Sequence, residues 1–107
     1  MSDFITGGVW NVAPIDVEPE IQLYDWQVYE VDGTRHFVGA RSSSGRVSSA
    51  IVTFDKETMR GVTKSGRVYE LVGLPGMNMD AEYVWSTWKA INKVTSEQNV
   101  TRELITK

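Results

Sequence analysis

The stretch YDWQVYEVDGTRHFVGA, Tyr24 to Ala40, decides the fold. Tyr24, Trp26 and Val28 alternate with polar residues, and Val31 precedes Asp32-Gly33. Asp-Gly between two β-prone runs is a strong hairpin signal, because a type I′ turn needs positive φ at both central residues. The reading is a strand from Ile21, a turn at Asp32-Gly33 and a return strand from Thr34 to Ala40.

Towards the C-terminus the β pattern continues. After a loop from Arg41 to Gly45, the run Arg46 to Phe54 places Val47, Ser49, Ile51 and Thr53 on one face and Ala50, Val52 and Phe54 on the other. That is the period of a strand. Asp55 to Thr58 is a polar turn, Met59 to Lys64 a short strand, Ser65-Gly66 a hairpin turn and Val68 to Val72 a fifth strand. Short links between successive strands predict a five-stranded antiparallel meander, curled towards a small half-barrel to protect its edges.

The tetrapeptide Ser-Gly-Arg-Val occurs twice here, at Ser44–Val47 and Ser65–Val68. In both copies Ser-Gly is read as turn and Arg-Val as the start of the next strand. An alternative reading presents Arg46 and Arg67 together at one end of the sheet.

Gly73-Leu74-Pro75-Gly76 ends the sheet pattern, and the period then changes. Ala81, Val84, Trp85, Trp88 and Ile91 recur at i, i+3, i+4, i+7 and i+10, the apolar face of a helix over about residues 79–94. Asn78 or Asp80 suits its cap, while early acids and late lysines suit its dipole. Such a face must cover one side of the sheet. The tail, with Val100, Leu104 and Ile105, reads as a short second helix in preference to an edge strand. Before Glu20, Gly7-Gly8, Pro14 and Pro19 indicate an irregular arm. The class is α+β, one domain over 1–107: arm 1–20, antiparallel sheet 21–72, helix and tail 78–107.

Length and composition agree, since 107 residues with 41% apolar content can bury a core. Without cysteine there are no disulfides or thiolate sites. No apolar run is long enough to span a membrane, and MSDFITGGVW has no basic leader, so a cytoplasmic setting is expected.

The net charge of −3 conceals a division along the chain. Residues 1–34 hold seven acids and no Lys or Arg. Residues 35–68 hold seven bases against two acids, a local +5, and residues 69–107 carry −1.

His36, the single histidine, lies mid-strand beside Phe37 and reads as structural or solvent-facing before it reads as an acid or base in catalysis. Asp80 with Glu82, and Glu18 with Glu20, read as a helix start and an exposed bend before they read as an acid-base pair or a magnesium site. The serines at 42–44, 48 and 49 lack a nucleophile elbow. The Gly-Leu-Pro-Gly turn lacks the lysine of a phosphate loop. Neither a cofactor nor a metal is therefore expected.

The basic third carries the site expectation: Arg35, Arg41, Ser44, Arg46, Arg60, Lys64, Ser65 and Arg67, at strand ends and turns, form an anion-binding cluster unless the acidic arm neutralises it. The expected function is a non-enzymatic interaction protein, a small adaptor or inhibitor of bacterial or phage type, docking on another protein through these residues, the acidic arm, or both. A nucleic-acid-binding small barrel is the alternative, and overall acidity counts against it. An edge strand or the tail offers a means of pairing two copies.

Overall fold

The computed structural model describes residues 19–42 and 44–105, so nearly all of the expected acidic arm lies outside the described residues. The described chain is a mixed α+β domain. It contains β1 (Glu20–Val31), β2 (Thr34–Arg41), β3 (Ser44–Val47), β4 (Ile51–Asp55), β5 (Arg60–Thr63), β6 (Val68–Leu71), α1 (Met79–Ile91), β7 (Glu97–Asn99) and α2 (Thr101–Ile105).

The deciding hairpin forms as read: Val31 pairs with Thr34, and Asp32 and Gly33 have φ of 47° and 93°. The simple five-stranded meander does not. The strands run β3-β2-β1-β6-β5-β4 without closing, and β7 adds to β1. β1 pairs in parallel with β6, Glu20 beside Val68 and Leu23 beside Leu71. It also pairs antiparallel with β2 and β7.

One long strand thus belongs to two sheet segments. The change occurs at a bulge between Tyr24 and Gln27, where Asp25 takes φ of 48°. A bulge adds a residue to one strand only, which bends that strand and increases its twist.

The expected third strand is broken as well. Ser48 to Ala50 form a corner that carries the chain from β3, beside β2, to β4, beside β5. Serine suits this corner because its hydroxyl replaces lost ladder partners. Ser48 Oγ accepts from Phe37 N at 2.9 Å and donates to Ser49 O at 2.7 Å, while Ser49 Oγ accepts from Ser65 N at 3.2 Å. Ser48 and Ser49 therefore serve a bend in the sheet.

Three layers result. Ile21, Leu23, Tyr69 and Leu71 from one segment meet Trp26, Val28 and Phe37 from the other, with Val100 of the tail. On the far side of β2, helix α1 buries Ala81 and Trp85 against Val31, Val38 and Val47. This is why β2 reads as almost continuously buried: Phe37 faces one core and Val38 the other. Gly45 permits the second contact, since a Cβ there would lie 2.4 Å from Asp80 O and 2.6 Å from Ala81 Cα.

Helix α1 begins where expected. Asn78 is the cap, its Oδ1 accepting from Ala81 N at 3.0 Å. It ends at Ile91, a few residues short of the expected boundary, with Asn92 as C-cap and Lys93 at φ of 52°. The tail is both a strand and a helix. Asp32 holds it to the hairpin, accepting from the backbone N–H and hydroxyl of both Thr95 and Ser96. Hydrogen bonds from Thr95 first, then Ser96, keep the Asp32 carboxyl below its ordinary range.

Candidate functional site

The structure scatters most of the expected basic cluster. Arg35 donates through Nε to Glu30 and through Nη2 to Glu103, both at 2.9 Å. Arg60 Nη2 lies 2.6 Å from Glu20 Oε1. These carboxylates already occupy the guanidinium groups that would have met a phosphate. The pairs are half-exposed, so each adds little to stability.

Arg46 and Arg67 depart furthest from expectation. Arg46 is third in β3, not first in its strand, and 7% exposed. Its Nε donates to Tyr69 Oη at 3.0 Å, and its guanidinium carbon lies 5.8 Å from that ring's centroid. Arg67, one residue before β6, is 3% exposed. Both arginines are buried and are not presented to solvent.

The two Ser-Gly-Arg-Val copies also differ in backbone role. The first is strand β3 itself, with Gly45 under the helix. In the second, residues 64–67 connect β5 to β6, and Gly66 takes φ of 93°. Gly66 N donates to Thr63 O at 2.8 Å and Thr63 N to Arg67 O at 3.0 Å, which closes a three-residue hairpin ending in a left-handed residue. The expected two-residue Ser-Gly turn is one residue too short.

Arg41 and Ser44 remain adjacent, paired across the β2–β3 turn, with Ser44 Oγ donating to Arg41 O at 3.2 Å. Arg41 lines an open groove of about 690 Å³ with Glu20, Ile21, Gln22, Tyr24 and Ser42. Lys64 is exposed on the β5–β6 turn and Ser65 half-buried there. The register places both turns towards the N-terminal half of β1, since Ala40 stands opposite Tyr24 and Val68 beside Glu20.

His36 is buried between sheet and helix, its ring 4.7 Å from that of Trp88. Nδ1 lies 2.9 Å from Ser48 O, which only accepts, so Nδ1 carries a proton. Nε2 lies 2.8 Å from Thr34 Oγ1. Burial pushes the imidazole below its ordinary value, and the bond to Ser48 offsets part of this. With the folded value depressed, the contribution of neutral His36 is fully present above about pH 6.5, the unfolded value, and is lost as pH falls through the folded one. The urea midpoint should therefore decline between pH 7 and 5, and NMR titration of this single histidine should give a midpoint below 6.5. A midpoint above 6.5 contradicts the assignment.

Two polar networks carry no sequence signal. Gln27 donates to Gly76 O at 2.7 Å and accepts from Asn99 at 2.9 Å and Thr101 at 3.0 Å, joining β1, the loop before α1 and the tail. Glu97 accepts from Trp85 Nε1 at 2.9 Å and Lys89 Nζ at 2.7 Å. Burial raises the Glu97 carboxyl, and the hydrogen bonds from Lys89 and Trp85 outweigh it, leaving it below its ordinary range. Both networks depend on long-range register, which local spacing does not encode.

Among the described residues no group of three or more His, Asp or Glu side chains is placed to hold a metal, and no helix is long and apolar enough to cross a membrane. No family model matches the chain, and no curated protein or solved structure matches it.

Proposed function

We propose that the protein is a non-enzymatic interaction protein, a small adaptor or inhibitor that docks on another protein beside the β2–β3 turn. The observation that carries this reading is the Arg41–Tyr24 groove. It combines an arginine, a half-exposed tyrosine and a carboxylate in an open concavity. Arginine and tyrosine are among the residues that most often anchor protein interfaces, because each adds a large rigid contact to a directed polar group. Lys64 and Ser44 extend the surface along the turns. The acidic residues Asp16 and Glu18 belong to the same proposal as a second point of contact.

Docking on nucleic acid has less support. Arg35 and Arg60 are held by carboxylates, and Arg46 and Arg67 are buried. A phosphate chain needs several accessible cations, each releasing a counterion on binding.

The test is affinity capture with two baits, the intact chain and Arg41→Glu with Tyr24→Ala. A partner retained by the first and reduced about tenfold by the second, equivalent to ~1.4 kcal/mol, supports the reading. Equal retention removes the groove from the proposal. A mobility shift with DNA or RNA that weakens steeply with salt transfers the function to the alternative.

A further inference from the structure

Arg46 leaves a charge in the interior that the described residues do not answer. It is 7% exposed, and its Nη2 is buried with no hydrogen-bond partner among the described residues. Its two polar contacts, through Nε to Tyr69 Oη and over the face of that ring, supply no negative charge. Among the described residues no carboxylate pairs with Arg46. Arginine stays protonated in proteins, so the charge cannot be shed as that of a buried lysine can. A water molecule would fill the hydrogen bond and leave the charge. A buried ion without a counter-ion is among the costliest defects an interior can hold.

The neighbouring groups define the ligand. Tyr69 Oη accepts from Arg46, so its own proton is directed to an acceptor. Arg67 precedes Tyr69 by two residues, and strand alternation puts both on the inner face of β6, where Arg67 is 3% exposed. Guanidinium groups and a phenol hydroxyl on one face ask for a group that is planar, negative and accepts only. A carboxylate has all three properties. The course of the chain delivers one. Glu20 stands beside Val68 in the parallel pairing, and Val68 N donates to Pro19 O at 2.9 Å, so the residues before Pro19 arrive next to Arg67. Residues 1–18 hold Asp3, Asp16 and Glu18 and no Lys or Arg. Glu18 is in step with Glu20 and Gln22, both exposed on the outer face. Asp16 is three residues from Pro19, a reach of up to about 10 Å, which gives the chain room to turn inward.

We infer that the Arg46–Tyr69–Arg67 end of the interior is a carboxylate-binding site and that its occupant is the chain's own acidic segment before β1, with Asp16 as the counter-charge. The Asp16 carboxylate accepts from Arg46 Nη2 and from the Tyr69 hydroxyl. This narrows the second point of contact with a partner to Glu18. None of the three site residues lines the Arg41–Tyr24 groove, so the docking proposed there does not depend on it.

A double-mutant cycle in the full chain tests it, with urea unfolding followed by circular dichroism. Asp16→Asn keeps the size of the side chain and removes its charge. It is expected to lower the folding equilibrium constant by at least about tenfold, and by less than about threefold once Arg46→Met has removed the cation. Glu18→Gln, in the same segment, is expected to change it by less than about threefold in either background. A second measurement needs no variant: in the intact chain the Asp16 Hβ protons are expected to show nuclear Overhauser contacts to the Tyr69 ring. An unchanged urea midpoint for Asp16→Asn overturns the proposal. So does an equal loss with and without Arg46, coupling of Arg46 to Glu18 in place of Asp16, or the absence of the Tyr69 contacts. The capture experiment with Arg41→Glu and Tyr24→Ala alters none of these residues, so the docking reading stands or falls separately.

Discussion

Trp85→Ala is expected to lower stability by about 3–5 kcal/mol, the usual cost of removing a fully buried tryptophan. Trp85 is buried in the layer between β2 and α1, its ring centroid 4.9 Å from Tyr29 and 5.3 Å from Trp88. Small domains have only about 5–15 kcal/mol in total, so the variant should approach the edge of folding. Urea unfolding followed by circular dichroism measures this. Trp85→Phe separates the contributions. It retains much of the apolar area but removes the indole N–H that donates to Glu97, and should cost about 1–3 kcal/mol. If Trp85→Ala unfolds at the same urea concentration as the intact chain, helix α1 does not hold the sheet as described.

Gly45→Ala is the second large effect. A single methyl group is added, yet its nearest neighbours are Asp80 O at 2.4 Å and the Ala81 backbone at 2.6 Å. Backbone atoms cannot swing aside, so the helix must lift from β3. Overpacking of this kind costs about 1–3 kcal/mol, occasionally more. Gly61→Ala is a useful contrast, because its Cβ would meet the Phe37 ring at 2.5 Å, a side chain and not a backbone, which yields by shifting against its core neighbours. Gly33 has open space around it, but φ of 93° makes alanine strained by about 1 kcal/mol for a different reason. Urea midpoints for the three variants should place Gly45→Ala lowest. A Gly45→Ala midpoint equal to that of the intact chain would contradict the close approach of α1 to β3.

What the chain declares locally, it declares well. Asp32-Gly33 specifies its turn through backbone geometry alone, and Ala81, Trp85 and Trp88 specify a helix face through spacing alone. Where the reading misses, the determinant is distant. The run Arg46 to Phe54 alternates as a strand should, but Ser48 and Ser49 find partners on Phe37 and Ser65 that convert its middle into a corner. Proximity in sequence favours the antiparallel order, and nothing near Glu20 announces a parallel partner at Val68.

The candidate site was less legible still. Arginine at a strand end ordinarily points to solvent, and local pattern cannot foresee that Tyr69 will receive Arg46 in the interior. Arg35 and Arg60 appeared available until Glu30, Glu103 and Glu20 were brought beside them. The repeated tetrapeptide illustrates the same point, since identical residues form a strand in one place and a turn in the other.

The dual membership of β1 also governs how the chain can assemble in time. Its partner β2 follows after a two-residue turn, so that hairpin needs almost no loop closure. Its other neighbours arrive late: β6 is 48 residues away at the Gln22–Glu70 contact, and α2 reaches back across 73 residues where Val28 N meets Thr101 Oγ1. Each such closure loses chain entropy before any contact compensates it. Among the pairings of β1, the hairpin with β2 is thus expected to form first, and those with β6 and α2, which need remote closure, to follow it.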